Sequence, residues 1–335
     1  MVTIGLDGEA RTEILECLKA PDEKALHSVL PTLIGSRRSP LKIANLILAD
    51  SKCDFRQDTG KLLKSRFRAD VGSVDFSKDA KAIEKCVNMR VAKKTNKKIE
   101  EVLAENSLGQ DNILVFLNAI YFKGIWLRKF DTDGQRNYFE LRSGERVEVD
   151  FMSLKSRTFS YRETSKLRLI RIPYKEKGFS MIAAIPKDER KHIDEVIADI
   201  SMFELASTIE SVGKPSGITV LLTMPQFRIE YNFDSIPEYL KDLGVKKMFV
   251  PGECNLGNLF SKVESQPCVS DIIHKAVIEV SETRSEASLF NFGFKCPRAR
   301  SRPVLVLRLS KPFCFWILSG KDMVTFAGIC ADPRS

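Results

Sequence analysis

The chain has 335 residues, 43% of them hydrophobic and 29% charged, with 53 Lys plus Arg against 44 Asp plus Glu for a net charge of +9. That make-up allows a large core without disulfides or metals and excludes disordered and fibrous classes. No apolar run reaches the roughly 18 residues of a membrane span, and the basic stretches 36–42, 61–68, 90–98 and 298–302 hold one aromatic, Phe67, too little to stack bases. Membrane and nucleic-acid partners are therefore not expected, while the mild basic excess leaves a polyanion partner open.

The first third reads mainly as helices. Residues 9–19 place Ile14, Leu15 and Leu18 on one face, and Pro21 stops the pattern. Residues 24–33 repeat it. Residues 79–103 read as one long helix with Ile83, Val87, Val91, Ile99 and Val102 toward a core. The remainder reads mainly as strands. Residues 112–120 (NILVFLNAI) are almost continuously apolar, as in a strand covered on both faces. Further strands are expected at 167–173, 179–185, 219–224, 276–280, 304–309, 313–318 and 325–329. A short helix at 237–243 ends at Gly244. Helices first and strands later indicate an α+β fold with large sheets, and with no internal repeat or low-complexity linker a single domain over 1–335 is expected.

The eight cysteines, Cys17, Cys53, Cys86, Cys254, Cys268, Cys296, Cys314 and Cys330, form no C-x-x-C pair and have no metal-ligand spacing with histidine. Several sit in apolar runs and read as buried free thiols. With no Asn-x-Ser/Thr acceptor and no signal peptide at the start, a cytoplasmic setting is favoured, an extracellular one being the alternative if a signal segment lies upstream. Nucleophilic catalysis needs an adjacent base. The histidines are His27, His192 and His274 alone, and no nucleophile elbow, glycine-rich phosphate loop or H-E-x-x-H motif occurs. No catalytic residue, metal or cofactor is expected.

Six stretches in order resemble the serpin family of single-use protease inhibitors. Asn118-Ala119-Ile120-Tyr121-Phe122-Lys123-Gly124-Ile125-Trp126 with Phe130 is similar to its N-A-x-Y-F-K-G-x-W…F motif. Upstream, Asn88, Val91, Thr95 and Ile99 match its N-x-x-V-x-x-x-T-x-x-x-I helix. Pro173-Tyr174, Ser180-Met181 and Ile185-Pro186 resemble its P-Y…S-M…L-P hairpin. Pro225-Gln226-Phe227 with Leu243-Gly244-Val245 and Phe249 resembles P-x-F…L-G-x-x-x-F. His274–Val280 is similar to the strand before the reactive loop, and Pro312-Phe313 with Phe326-Ala327-Gly328 and Asp332-Pro333 to the C-terminal signature. The chain begins after the place of the family's first helix and its Phe-Ser-Pro-x-Ser-Ile segment. In relatives those serines bond near the positions of His274 and Asn118, so these two are expected to lack partners, at about 1–3 kcal/mol each.

The resemblance implies a monomeric serpin-like α+β domain with an exposed reactive-centre loop over about 282–302. A protease attacks that loop, is trapped as an acyl-enzyme, and is carried along as the loop inserts into the main sheet. It implies a hinge at Glu282, Thr283, Arg284, Ser285, Glu286 and Ala287, with Arg284 where the family has glycine. Ser285, Ala287, Leu289, Asn291 and Gly293 share the face that turns inward on insertion. It implies a conformational-switch region at Asn118, Trp126 and His274. Counting sixteen from Glu282 puts the attacked bond at Arg298-Ala299, with Arg300 as the alternative, and an Arg there suits a trypsin-like serine protease. The other reading of the same resemblance is a non-inhibitory serpin fold that acts as a binding or chaperone-like protein, or an inactive truncated form.

Overall fold

A computed structural model describes the chain except residues 35–38, 133–135, 214, 234, 264–265, 283–303, 321–322 and 335, and the side chains of 29–34. Residues 1–122 with 230–278 form one compact unit, and residues 123–229 with 279–335 form a second.

The first unit is organised by a five-stranded sheet in the order Phe227–Phe233, Asp271–Val280, Leu114–Phe122, Leu41–Asp50, Ala69–Val74. Leu114–Phe122 runs antiparallel to Leu41–Asp50 and parallel to Asp271–Val280. Alternation explains why the central strands read as unbroken apolar runs. Val115, Leu117, Ala119 and Tyr121 join a core with Val87 and Val91 of helix Ala80–Lys94. Leu114 and Phe116 join a different core with Ile14 of helix Gly8–Cys17 and Leu63 and Phe67 of helix Gln57–Phe67. Successive side chains thus meet helices on opposite faces.

The long helix expected over 79–103 stops at Lys94. Asn96 and Lys97 take left-handed φ values of 55° and 59°, which helical backbone does not tolerate. Thr95 Oγ1 donates to Val91 O at 2.8 Å and accepts from Ile99 N at 3.2 Å, so it closes the helix and fixes the following turn. Asn88 Oδ1 accepts from Val102 N and Leu103 N at 2.9 and 3.0 Å. Ile99 still reaches the core at 2% exposure, so the expected core residues hold although the helix does not extend to them. The first third is also less helical than expected, because it holds strands Leu41–Asp50 and Ala69–Val74.

The second unit carries two sheets. One runs Val304–Arg308, Thr219–Pro225, Arg146–Ser156, Arg136–Glu140. The other runs Met323–Cys330, Phe313–Ser319, Phe179–Pro186, Leu167–Pro173, Ser160–Glu163. Leu167, Leu169, Ile182, Trp316 and Leu318 of the latter pack with Ile193 and Val196 of helix Ile193–Ala198 and Ile209 of helix Met202–Ser211. Gly328 in the C-terminal stretch lies against Phe315; a Cβ there would stand 2.8 Å from Cζ of that ring.

Among the described cysteines Cys53, Cys254, Cys268, Cys314 and Cys330 are buried and unbridged, as expected, whereas Cys86 is exposed and Cys17 half-buried. Burial pushes the thiols of Cys254 and Cys314 up to about 12. Cys296 lies outside the described residues.

Candidate functional site

In the first unit the parallel pair Leu114–Phe122 and Asp271–Val280 runs in register from Asp271 opposite Val115 to Ile278 opposite Phe122. Ser270 anchors its start: its Oγ accepts from Ile113 N at 2.7 Å, and its own N donates to Leu114 O at 2.9 Å. At the middle, the register sets three polar residues in a row across three strands, Asn45 opposite Asn118 opposite His274. Asn118 Nδ2 donates to Asn45 Oδ1 at 2.6 Å, and Asn45 Nδ2 donates to Phe67 O at 2.7 Å, at the end of helix Gln57–Phe67. Asn45 is buried, so this chain of amides satisfies both a core side chain and a helix-terminal carbonyl.

His274 lies against the ring of Phe233 with centroids 4.8 Å apart. Burial lowers its pKa from the ordinary value, and a hydrogen bond to the Asn118 backbone opposes that shift. The expectation that Asn118 and His274 lack partners is therefore corrected: Asn45, the Asn118 backbone and Phe233 serve both. The next residue, Lys275, is buried on the other face. Its Nζ donates to Glu101 O at 2.6 Å and pairs with Glu230 at 2.5 Å, which compensates a charge otherwise costly to bury.

In the second unit Trp126 is buried and stacks on Tyr174, with centroids 4.3 Å apart and planes 12° from parallel, while Phe130 tilts against it at 5.4 Å. Tyr174 is held there by Leu127 N donating to Pro173 O at 3.0 Å and Lys175 N donating to Ile125 O at 2.7 Å. Burial raises the Tyr174 phenol well above its ordinary value. Gly124 is needed at this stack, since a Cβ would stand 2.5 Å from Tyr174 Cδ1. Trp126 Nε1 is a buried donor with no hydrogen-bond partner among the described residues.

The root of the 282–302 segment is tied within the same unit. Glu282 Oε2 accepts from Phe130 N at 2.9 Å, and Lys123 pairs with Glu279. Partial burial raises the Glu282 carboxyl above the usual range, against the pull of the Phe130 amide and Lys129. Of the expected hinge, Glu282 is thus placed next to the Trp126 neighbourhood. Thr283, Arg284, Ser285, Glu286, Ala287, Arg298, Ala299 and Arg300 lie outside the described residues. Asn118 and His274 are direct neighbours across the parallel pair, while Trp126 lies in the second unit. Sequence reasoning missed Asn45 and Phe233; the signal for Asn45 was a lone amide inside the apolar run 41–49. No group of three or more His, Cys, Asp or Glu side chains is placed to hold a metal among the described residues.

A family profile described as "Serpin (serine protease inhibitor)" matches residues 1–333. A "Serine protease inhibitor" of Cyanea capillata is 31% identical over 88% of this chain and 77% of its own length. "Antitrypsin" of Bombyx mori is 30% identical over 98% of this chain and 83% of its own. The solved structure of Arabidopsis AtSerpin1 in its native stressed conformation superposes with a TM-score of 0.82 at 26% identity, covering 99% of this chain and 88% of that one.

Proposed function

Because the chain belongs to the serpin family of serine protease inhibitors, we propose that it acts as a suicide substrate of a trypsin-like protease, attacked at Arg298-Ala299. One observation carries the reading. Leu114–Phe122 and Asp271–Val280 are parallel and directly paired, and the 283–303 segment follows two residues after the second of them. A chain that turns back at Glu282 would run antiparallel to both. Insertion between them would replace one parallel ladder by two antiparallel ones, the better hydrogen-bonded arrangement.

Trypsin-like specificity rests on the arginine at the expected distance from Glu282 and is in keeping with the name of the Bombyx relative. The protein acts as a monomer in this reading, since one loop meets one protease. The test is incubation with trypsin and denaturing electrophoresis. The expected result is a complex stable to SDS, with a released fragment that begins at Ala299 and with complex formation lost in Arg298→Ala. A fragment that begins at Ser301 moves the attacked bond to Arg300.

Arg284, in the place of the family's hinge glycine, favours a second reading, a serpin fold that is cleaved without trapping. Glycine tolerates backbone conformations closed to arginine, so Arg284→Gly distinguishes the two. It converts a cleaved substrate into a trapping inhibitor if only the hinge is at fault.

A further inference from the structure

The second unit contains a cavity of about 380 Å³, within the range of small-molecule sites. It lies between the end of strand Phe179–Pro186, the start of helix Ile193–Ala198 and strand Val304–Arg308. The buried Pro186, Ile193 and Pro312 give it an apolar floor. Its walls are unevenly charged: Arg168, Arg190, Lys191, Arg308 and Lys311 stand against two carboxylates, Glu140 and Glu189. Internal pairing cancels part of that excess. Arg168 pairs with Glu189 at 3.1 Å and Lys311 with Glu140 at 3.0 Å. Arg190 pairs at 3.0 Å with Asp188, which is outside the lining. Lys191 and Arg308 have no carboxylate partner among the described residues. The exposed Lys191 acts at longer range on Asp188 and Asp199, and each of these is already paired with another cation. Arg308 Nη2 donates to the neutral Asn137 Oδ1 at 2.5 Å, and the guanidinium lies 5.6 Å over the Phe151 ring. Those two contacts orient the planar group and leave its charge uncompensated.

Two uncompensated cations at the wall of a concave site focus positive potential into it. An inorganic anion would gain nothing from the apolar floor, and a polymeric one does not fit the volume. We propose that this cavity binds a small organic anion, an aryl sulfonate or carboxylate, whose acidic oxygens meet Lys191 Nζ and the Arg308 guanidinium and whose rings lie on Pro186, Ile193 and Pro312.

The test uses the full chain with two fluorescent probes, 8-anilinonaphthalene-1-sulfonate and N-phenyl-1-naphthylamine, which share a ring system and differ in the sulfonate. The sulfonate probe is expected to bind saturably at one site and more tightly than the neutral one. Lys191→Met, a change at an exposed side chain, and Arg308→Gln are each expected to weaken the sulfonate probe about tenfold, the worth of one charge-assisted hydrogen bond. Both should leave the neutral probe unaltered. Lys61→Met removes the same charge from an exposed position in the first unit and is expected to change neither probe. The proposal is overturned if the sulfonate probe does not bind, if the neutral probe binds as tightly, or if Lys191→Met leaves the sulfonate constant unchanged. It is also overturned if Lys61→Met weakens that probe as much as Lys191→Met does, since the effect would then be one of overall charge. Equal losses for both probes in Lys191→Met overturn it as well, because they would come from the wall and not from its charge.

Discussion

The Asn45–Asn118 bond permits a quantitative trial of the polar row. Asn118→Ala removes the donor to Asn45 Oδ1, 2.6 Å away, and leaves a buried amide oxygen unpaired. Such a loss costs about 1–3 kcal/mol. Asn45→Ala removes that bond and the one to Phe67 O, so it is expected to cost more, about 2–4 kcal/mol. Once one partner is gone, the second substitution has less left to break, so the double variant is expected to fall short of the sum by about 1 kcal/mol or more. With an unfolding entropy near 2.1 cal/mol/K per residue, 335 residues give about 0.7 kcal/mol per degree, so Asn118→Ala is expected to lower Tm by roughly 1.5–4 °C. Differential scanning calorimetry of the parent, both single variants and the double variant at one pH and one scan rate supplies the cycle. Strict additivity would refute the reasoning, because it would mean that the two amides do not depend on each other.

Four further outcomes are expected. Gly124→Ala drives a Cβ to 2.5 Å from a Tyr174 ring already stacked on Trp126 and should cost about 1–3 kcal/mol, read as a lower Tm; an unchanged Tm would show that the stack yields freely. His274 has its pKa lowered by burial, so the stability it contributes is complete above its ordinary value of 6.5 and is lost as the pH falls through the folded value. Tm should then decline on acidification more steeply in the parent than in His274→Gln, and parallel curves would count against it. Cleavage between Arg298 and Ala299 should raise Tm if the freed segment enters the sheet, whereas an unaltered Tm favours the non-trapping reading. Ser285→Arg should raise the stoichiometry of inhibition, since it forces an unpaired charge to the inward face of an inserted strand; equal inhibition would rule out insertion.

Legibility in the sequence followed how local each determinant was. Strands 167–173 and 313–319 announced themselves because β-rich apolar runs ended at turn residues. Helix 57–67 (QDTGKLLKSRF) was passed over because its basic residues dilute the apolar face formed by Thr59, Leu63 and Phe67. The error at 95–97 came from periodicity that continues through a break: Ile99 and Val102 keep helical spacing, while Asn96 and Lys97 turn the backbone left-handed. At the switch region Asn118, Trp126 and His274 were legible as motif residues, but their partners were not. Asn45 lies 73 positions from Asn118 and meets it only through sheet register, which no local pattern encodes. Tyr174 could be read as part of a hairpin, not as the surface that forbids a side chain at Gly124.

The register of the central pair also bears on how the chain is made. His274 opposes Asn118 across 156 positions of sequence. At ribosomal rates of about 5–20 residues per second, Leu114–Phe122 waits roughly 8–30 s for its parallel neighbour to be synthesised. During that interval one side of an almost wholly apolar strand presents unpaired amides and carbonyls, the condition under which nascent sheets recruit other chains. Contacts so distant in sequence also slow folding after release. Yield in a cell should therefore depend on whether a holdase shields residues 114–122 before residue 280 has left the ribosome.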